Sequence, residues 1–336
     1  MEIKQIWKEK GYACEPIPED IDLRSEIRRM CAEKNAVIMA HYYTDASLQE
    51  IADFIGDSLA LARKAAQTDA KIIVMCGVHF MGETNKVLCP DRKVLIPDLN
   101  ASCSLAESCP AREFGEFVKA HPGHRVISYV NTSADVKALT DIVVTSSNAR
   151  QIVESFPKDE PIIFGPDRNL GEYLNQVTGR QMVLWNGACH VHERFSVGKI
   201  LELKQQYPDA KVLAHPECKG PVLKLADVVG STAALLKYTI ESEEQRFIVA
   251  TESGILFEMQ RKSPNKQFIP VPPDDTETPR KTCMCNECAY MRMNTLEKLY
   301  NCLKYEWPEV EVDTNIVEAA AKPIDRMIAL SKELGL

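Results

Sequence analysis

Cys283, Cys285 and Cys288 fall within six positions in the stretch KTCMCNECAYM (281–291). Thiols this close can bind a soft metal or pair reversibly in a disulfide. A local zinc site would need a second ligand pair at matching spacing, yet the next cysteine, Cys302, stands alone in the helical pattern TLEKLYNCLKY. Proton-transferring side chains recur elsewhere in pairs two residues apart. These are His41 and Tyr43 in VIMAHYY, Tyr129 and Asn131 in VISYVN, and His215 and Glu217 in VLAHPE. Imidazole, phenol and carboxylate groups supply donors and acceptors for general acid–base chemistry. On a strand, the i, i+2 spacing turns both members of a pair to the same face. Three hydroxyls complete the set: Ser58, Ser146 and Thr232 each lie five residues after an aspartate.

The elements that must position these groups repeat three times. His41, Tyr129 and His215 are separated by 88 and then 86 residues, and the same offsets separate Ser58, Ser146 and Thr232. Each pair follows a short apolar run, and each hydroxyl opens a helical pattern (SLALARKAAQ, SSNARQIVESF, TAALLKYTIES). A second apolar run comes next (KIIVMCG, PIIFGPD, RFIVATE), then a third (KVLIPDL, RQMVLWN, KQFIPVP). Continuous apolar strands alternating with helical patterns predict parallel sheets buried on both faces. The expected fold is therefore α/β: three homologous three-layer αβα units, each with a short parallel sheet, around a pseudo-threefold axis. The predicted boundaries are 1–102 with 280–336 for the first unit, 103–188 for the second and 189–279 for the third. Ligands of open α/β sheets bind beyond the carboxyl ends of the strands, where all three polar pairs fall. Helix starts there favour anions, so a small phosphorylated or polycarboxylated substrate is expected. A cysteine closes each repeat: Cys103, Cys189, and then the 283–288 cluster. Threefold packing would bring one thiolate from each unit together. Three protein ligands leave a metal position open, the mark of a catalytic rather than a structural site.

Composition narrows the setting. The 336 residues carry a net charge of −8, and the sequence pI near 5.5 argues against a nucleic-acid partner. The start, MEIKQIWKEKGY, has no apolar signal core, and no apolar run approaches the roughly 18 residues of a membrane span. A cytoplasmic location is expected, where thiols stay reduced, so twelve cysteines point to metal ligands or reactive thiols more than to a disulfide framework. Cys76, inside KIIVMCGV, is expected to be a small core residue.

Taken in order, AHYYTDASLQEIADFIGDSLALA, CGVHFMGET, WNGACHVHERF, AHPEC, GST and CAYMRMNTL resemble the quinolinate synthases, the iron–sulfur enzymes of de novo NAD synthesis. The likeness runs from about residue 15 to the C-terminal segment. It implies three α/β domains in a triangle and a [4Fe–4S] cluster on the axis, held by Cys103, Cys189 and Cys288. It implies a transferase that condenses iminoaspartate with dihydroxyacetone phosphate, releases phosphate and water, and closes the ring of quinolinate. His41, Tyr43, Tyr129 and Glu217 would be catalytic. His41, Ser58, Tyr129, Asn131, Ser146, His192, His215, Glu217 and Thr232 would bind substrate. An L-aspartate oxidase or dehydrogenase would supply the iminoaspartate. Some members carry C-x-x-C-x-x-C where this chain has C-x-C-x-x-C, leaving Cys283 and Cys285 as spectators or a redox pair. Two rival readings remain. One is a diphthamide-synthesis-like iron–sulfur enzyme that uses S-adenosylmethionine, and the other is a zinc-stabilised binding protein without catalysis.

Overall fold

The structure, a computed structural model, describes residues 3–274 and 286–336. Its strands form three four-stranded parallel sheets. The first contains β1 (Ala36–His41), β2 (Phe54–Gly56), β3 (Ile72–Cys76) and β4 (Lys93–Leu95). The second contains β5 (Arg125–Tyr129), β6 (Ile142–Val144), β7 (Ile162–Gly165) and β8 (Val183–Leu184). The third contains β9 (Lys211–Ala214), β10 (Val228–Val229), β11 (Arg246–Ala250) and β12 (Gln267–Pro270). Each sheet has the same order, β2-β1-β3-β4, β6-β5-β7-β8 and β10-β9-β11-β12. Registers repeat as well: Met39 pairs with Phe54, Ile127 with Ile142 and Leu213 with Val228, at the offsets seen in the sequence. The fold is α/β with three similar units, as the repeat pattern predicts.

Burial on both faces explains the continuous apolar runs. In β1, Val37 and Met39 join one core cluster while Ile38 and Ala40 join another on the opposite face. Every residue of β3 is buried. The repeated aspartates have a structural job in all three units. Asp53, Asp141 and Asp227 accept the backbone N–H of Ile38, Val126 and Val212 at 2.7–2.8 Å. Each also donates its own N–H to the carbonyl of that same residue. This reciprocal clasp ties the start of the second strand to the central strand.

In each sheet the chain crosses back over its first strand, so the strand order reverses there. That switch point is the usual ligand crevice of such sheets. Of the tail 280–336, grouped with the first unit on sequence, the described residues 286–336 pack in two places. Helix Leu296–Tyr305 lies on helix Leu23–Lys34 of the first unit, while helix Thr314–Glu333 lies on β6 and helix Ala134–Ala138 of the second. Among the described residues, no helix is long and apolar enough to cross a membrane.

Candidate active site

The carboxyl ends of β1, β5 and β9 open into one cavity. Its wall includes His41 and Tyr43, Tyr129 and Asn131, His215 and Glu217, the hydroxyls Ser58, Ser146 and Thr232, and His192. Cys103, Cys189 and Cys288 also line it, so every site residue singled out on sequence is brought together. Cys283 and Cys285 lie outside the described residues. Val78, Phe80, Met81, Val191 and Met291 supply an apolar wall.

The two strand-end histidines are built alike. His41 Nδ1 accepts the N–H of Tyr43 at 3.1 Å, and His215 Nδ1 accepts the N–H of Glu217 at 3.3 Å. A neutral ring with Nδ1 accepting must carry its proton on Nε2. Burial keeps both rings neutral. It pulls the pKa of His41 down to about 4 and that of His215 to about 3, despite nearby carboxylates that act the other way. Each therefore offers an uncharged N–H donor.

Glu217 is buried at the centre. Tyr129 donates its hydroxyl to Oε1 at 2.6 Å, and His192 Nδ1 lies 3.0 Å from Oε2. Burial favours the neutral acid, but the hydrogen bonds from His192 and Tyr129 outweigh it and hold the group as a carboxylate. His192 Nε2 then meets Thr251 Oγ1 at 3.0 Å, which meets the Tyr43 hydroxyl at 2.8 Å, which meets Thr232 Oγ1 at 2.7 Å. With Nδ1 donating to the carboxylate, Nε2 is left to accept from Thr251, Thr251 from Tyr43, and Tyr43 from Thr232. The result is a directed chain of hydroxyl protons ending on Glu217. Burial raises the pKa values of Tyr43 and Tyr129 well above the ordinary phenol range, so both stay protonated donors.

The hydroxyls do not cap their helices. Asp57 caps helix Ser58–Gln67 through the Ala60 N–H, and Ser231 caps helix Thr232–Glu241 through the Ala234 N–H. Asn148 occupies the cap position of helix Ala149–Ser155, two residues past Ser146. Capping falls to neighbours, so Ser58, Ser146 and Thr232 remain available to the cavity. Between the units, Ser147 Oγ donates to Asp57 Oδ2 at 2.6 Å and accepts from Ser231 Oγ at 2.9 Å, touching all three repeats at once.

The three cysteines also share a local design. Each precedes a short helical turn: Ser104–Glu107, His192–Arg194 or Met291–Met293. Backbone N–H groups two or three residues on point at the sulfur: Leu105 and Ala106 at Cys103, His192 at Cys189, Tyr290 and Met291 at Cys288. Burial raises all three thiols, Cys103 to about 12, Cys288 to about 11 and Cys189 well above the ordinary range. Such thiols ionise only beside a strong cation, which a metal centre supplies. Among the described residues, the one group of three ligand atoms that converges within 4.8 Å is Cys189, His192 and Glu217. Cys103, Cys189 and Cys288 line the same cavity, and three soft thiolates suit an iron–sulfur centre or another soft metal.

Two residues at the site escape sequence reasoning. Glu252, at the end of the β11 run RFIVATE, accepts the Cys288 N–H at 3.0 Å on Oε1 and the Gly254 N–H at 2.6 Å on Oε2. Burial raises its pKa to about 7, against the opposing pull of Arg292. Thr251, its neighbour, carries the hydroxyl link described above. Alignment of the three second strands puts Asp167 at the same place as Glu252, a signal that could have flagged the position. By contrast Glu83, Glu172 and Glu258, which also recur, do not line the cavity.

Residues 25–329 match the family described as quinolinate synthetase A protein. The chain is 55% identical over 310 residues to the quinolinate synthase of a Synechococcus strain, covering 92% of this chain and 95% of that one. It is 55% identical over 316 residues to that of Thermosynechococcus vestitus, with 94% and 97% covered. It is 54% identical over 312 residues to that of Chloroherpeton thalassium, with 93% and 95% covered. A match of this length and identity, on top of three repeated units that converge on one cavity, means that the chain belongs to the quinolinate synthetase A family.

Proposed function

We propose that this chain condenses iminoaspartate with dihydroxyacetone phosphate to give quinolinate, releasing phosphate and water, with a [4Fe–4S] cluster on Cys103, Cys189 and Cys288. The observation that carries the reading is the meeting, in one cavity, of three thiols with equivalent strand-end acid–base groups from three units. When bound, the cluster supplies a Lewis-acidic iron that lacks a cysteine ligand. The protein's own groups do the rest. The reactants carry carboxylates and a phosphate, and the cavity offers neutral donors: the Nε2–H of His41 and His215, the Asn131 amide, and the hydroxyls of Ser58 and Ser146, with Thr232 joining once its proton turns from Tyr43 to the ligand. Glu217 is the general base. A proton it accepts is returned through Tyr129, or along the chain from His192 through Thr251 to Tyr43. The apolar wall keeps bulk water from the reactive imine. A cytoplasmic setting and supply by an L-aspartate oxidase or dehydrogenase complete the proposal.

The test is an anaerobic assay for quinolinate, paired with iron and sulfide analysis. Wild-type protein should hold about four irons and turn over. Cys103→Ser, Cys189→Ser and Cys288→Ser should each lose most of the iron. Glu217→Gln should keep its iron and lose at least about 100-fold in kcat, the scale of a positioned proton-transfer group. Normal turnover by Glu217→Gln would remove its assigned role, and a zinc-free chain that stays colourless after anaerobic reconstitution with iron and sulfide would remove the cluster.

A further inference from the structure

Cys189, His192 and Glu217 place a sulfur, a nitrogen and an oxygen within 4.8 Å of one another. His192 Nδ1 lies 3.3 Å from Cys189 Sγ and 3.0 Å from Glu217 Oε2. Neighbouring ligands of a tetrahedral zinc ion, bonded at about 2.0–2.3 Å, stand about 3.3–3.8 Å apart. The two His192 pairs already stand near that spacing, and Cys189 and Glu217, within 4.8 Å of each other, would close by up to about 1 Å through side-chain rotation. We propose that the metal-free chain holds one Zn²⁺ on Cys189 Sγ, His192 Nδ1 and Glu217 Oε2, with the fourth position open to the cavity.

The second shell for such an ion is already in place. Thr251 Oγ1 sits 3.0 Å from His192 Nε2, ready to accept its N–H once Nδ1 turns to the metal. The ring N–H then lies on Nε2 and the Nδ1 lone pair on the metal. Tyr129 holds the other carboxylate oxygen at 2.6 Å, and Asn169 Nδ2 donates to the Glu217 backbone carbonyl at 3.1 Å. Partners of this kind orient ligands and commonly set affinity by tenfold or more. The Cys189 thiol gives its proton to solvent on binding. The site uses one of the three thiols, so it excludes any group that needs Cys189 together with Cys103 and Cys288. Zinc would thus block loading of the cavity's polynuclear centre.

The experiment titrates metal-free, full-length protein with Zn²⁺ against a chromophoric chelator. We expect one tight zinc per chain. Cys189→Ser, His192→Ala and Glu217→Ala should each weaken it by about 100-fold or more, while Cys103→Ser and Cys288→Ser stay within about threefold. X-ray absorption of the zinc-loaded wild type should show a single sulfur ligand. That readout settles the ligand set even if a variant fails to fold. Absence of tight binding, dependence on Cys103 or Cys288, or a first shell with two or three sulfurs would overturn the proposal. The measurement is made without the cluster, so its failure leaves the quinolinate reading standing, and the converse holds too.

Discussion

His41 and His215 show how two residues can be tuned by one backbone contact. Each ring accepts the N–H two residues along, and burial holds both neutral, with pKa values near 4 and 3. In the unfolded chain both return to about 6.5 and take up protons that the folded chain refuses. Their contribution to stability is therefore full above pH 6.5 and is lost as the pH falls through 6.5 toward 4. Glu252 acts in the opposite sense, since its raised pKa makes it cost stability as the pH rises from about 4.5 to 7. Comparing wild type with His41→Asn cancels that contribution, and the Asn carbonyl can still accept the Tyr43 N–H. Urea midpoints of metal-free protein should fall less steeply between pH 6.5 and 4.5 in the variant. Equal slopes would show that His41 is not held neutral. At this scale the sequence is a good guide to the groups themselves, because strand-end spacing declares them. It does not declare Thr251 or Glu252, whose partners lie at Tyr43, His192 and Cys288, far away in the chain.

Among the elements, the clasp between each central strand and the aspartate fifteen residues on is the most regular feature. It explains why the repeats keep an Asp at fixed spacing from the site hydroxyl while the residues between vary. Asp141→Ala removes the carboxylate from the Val126 N–H but leaves the backbone bond from residue 141 to the Val126 carbonyl. The expected loss is about 1 kcal/mol in urea unfolding, the net value of one partly exposed hydrogen bond. A variant as stable as wild type would mean that the backbone bond alone sets the clasp. Strands and helices were legible because two-sided burial writes continuous apolar runs. The two-residue strands β8 and β10 leave almost no such trace. Helix starts were legible to within a residue or two, but the capping role fell to Asp57 and Ser231 rather than to Ser58 and Thr232. That shift of one position is what frees the hydroxyls for the cavity. It is set by backbone conformation, since Asp and Ser are as good at capping as the residues beside them.

For the molecule as a whole, the sequence offsets announce three units, but not what fastens them. Ser147 does part of this, bonding Asp57 of one repeat and Ser231 of another across 90 and 84 positions of chain. No local pattern marks such a contact, which arises only when the repeats close on one another. Ser147→Ala leaves the buried Asp57 Oδ2 without that donor. The cost should be about 1–3 kcal/mol in global stability, read by urea unfolding of metal-free protein. A change under a few tenths would mean that the apolar contacts alone hold the units. The threefold meeting of strand ends has one more consequence. An assembly of three identical chains would present the same corner three times, and its centre could recognise only what is itself symmetric. Joining the corners in one polypeptide lifts that constraint. The place held by His41 in one unit is held by Tyr129 in the next and His215 in the third, so a ligand without symmetry can meet a different group on each side.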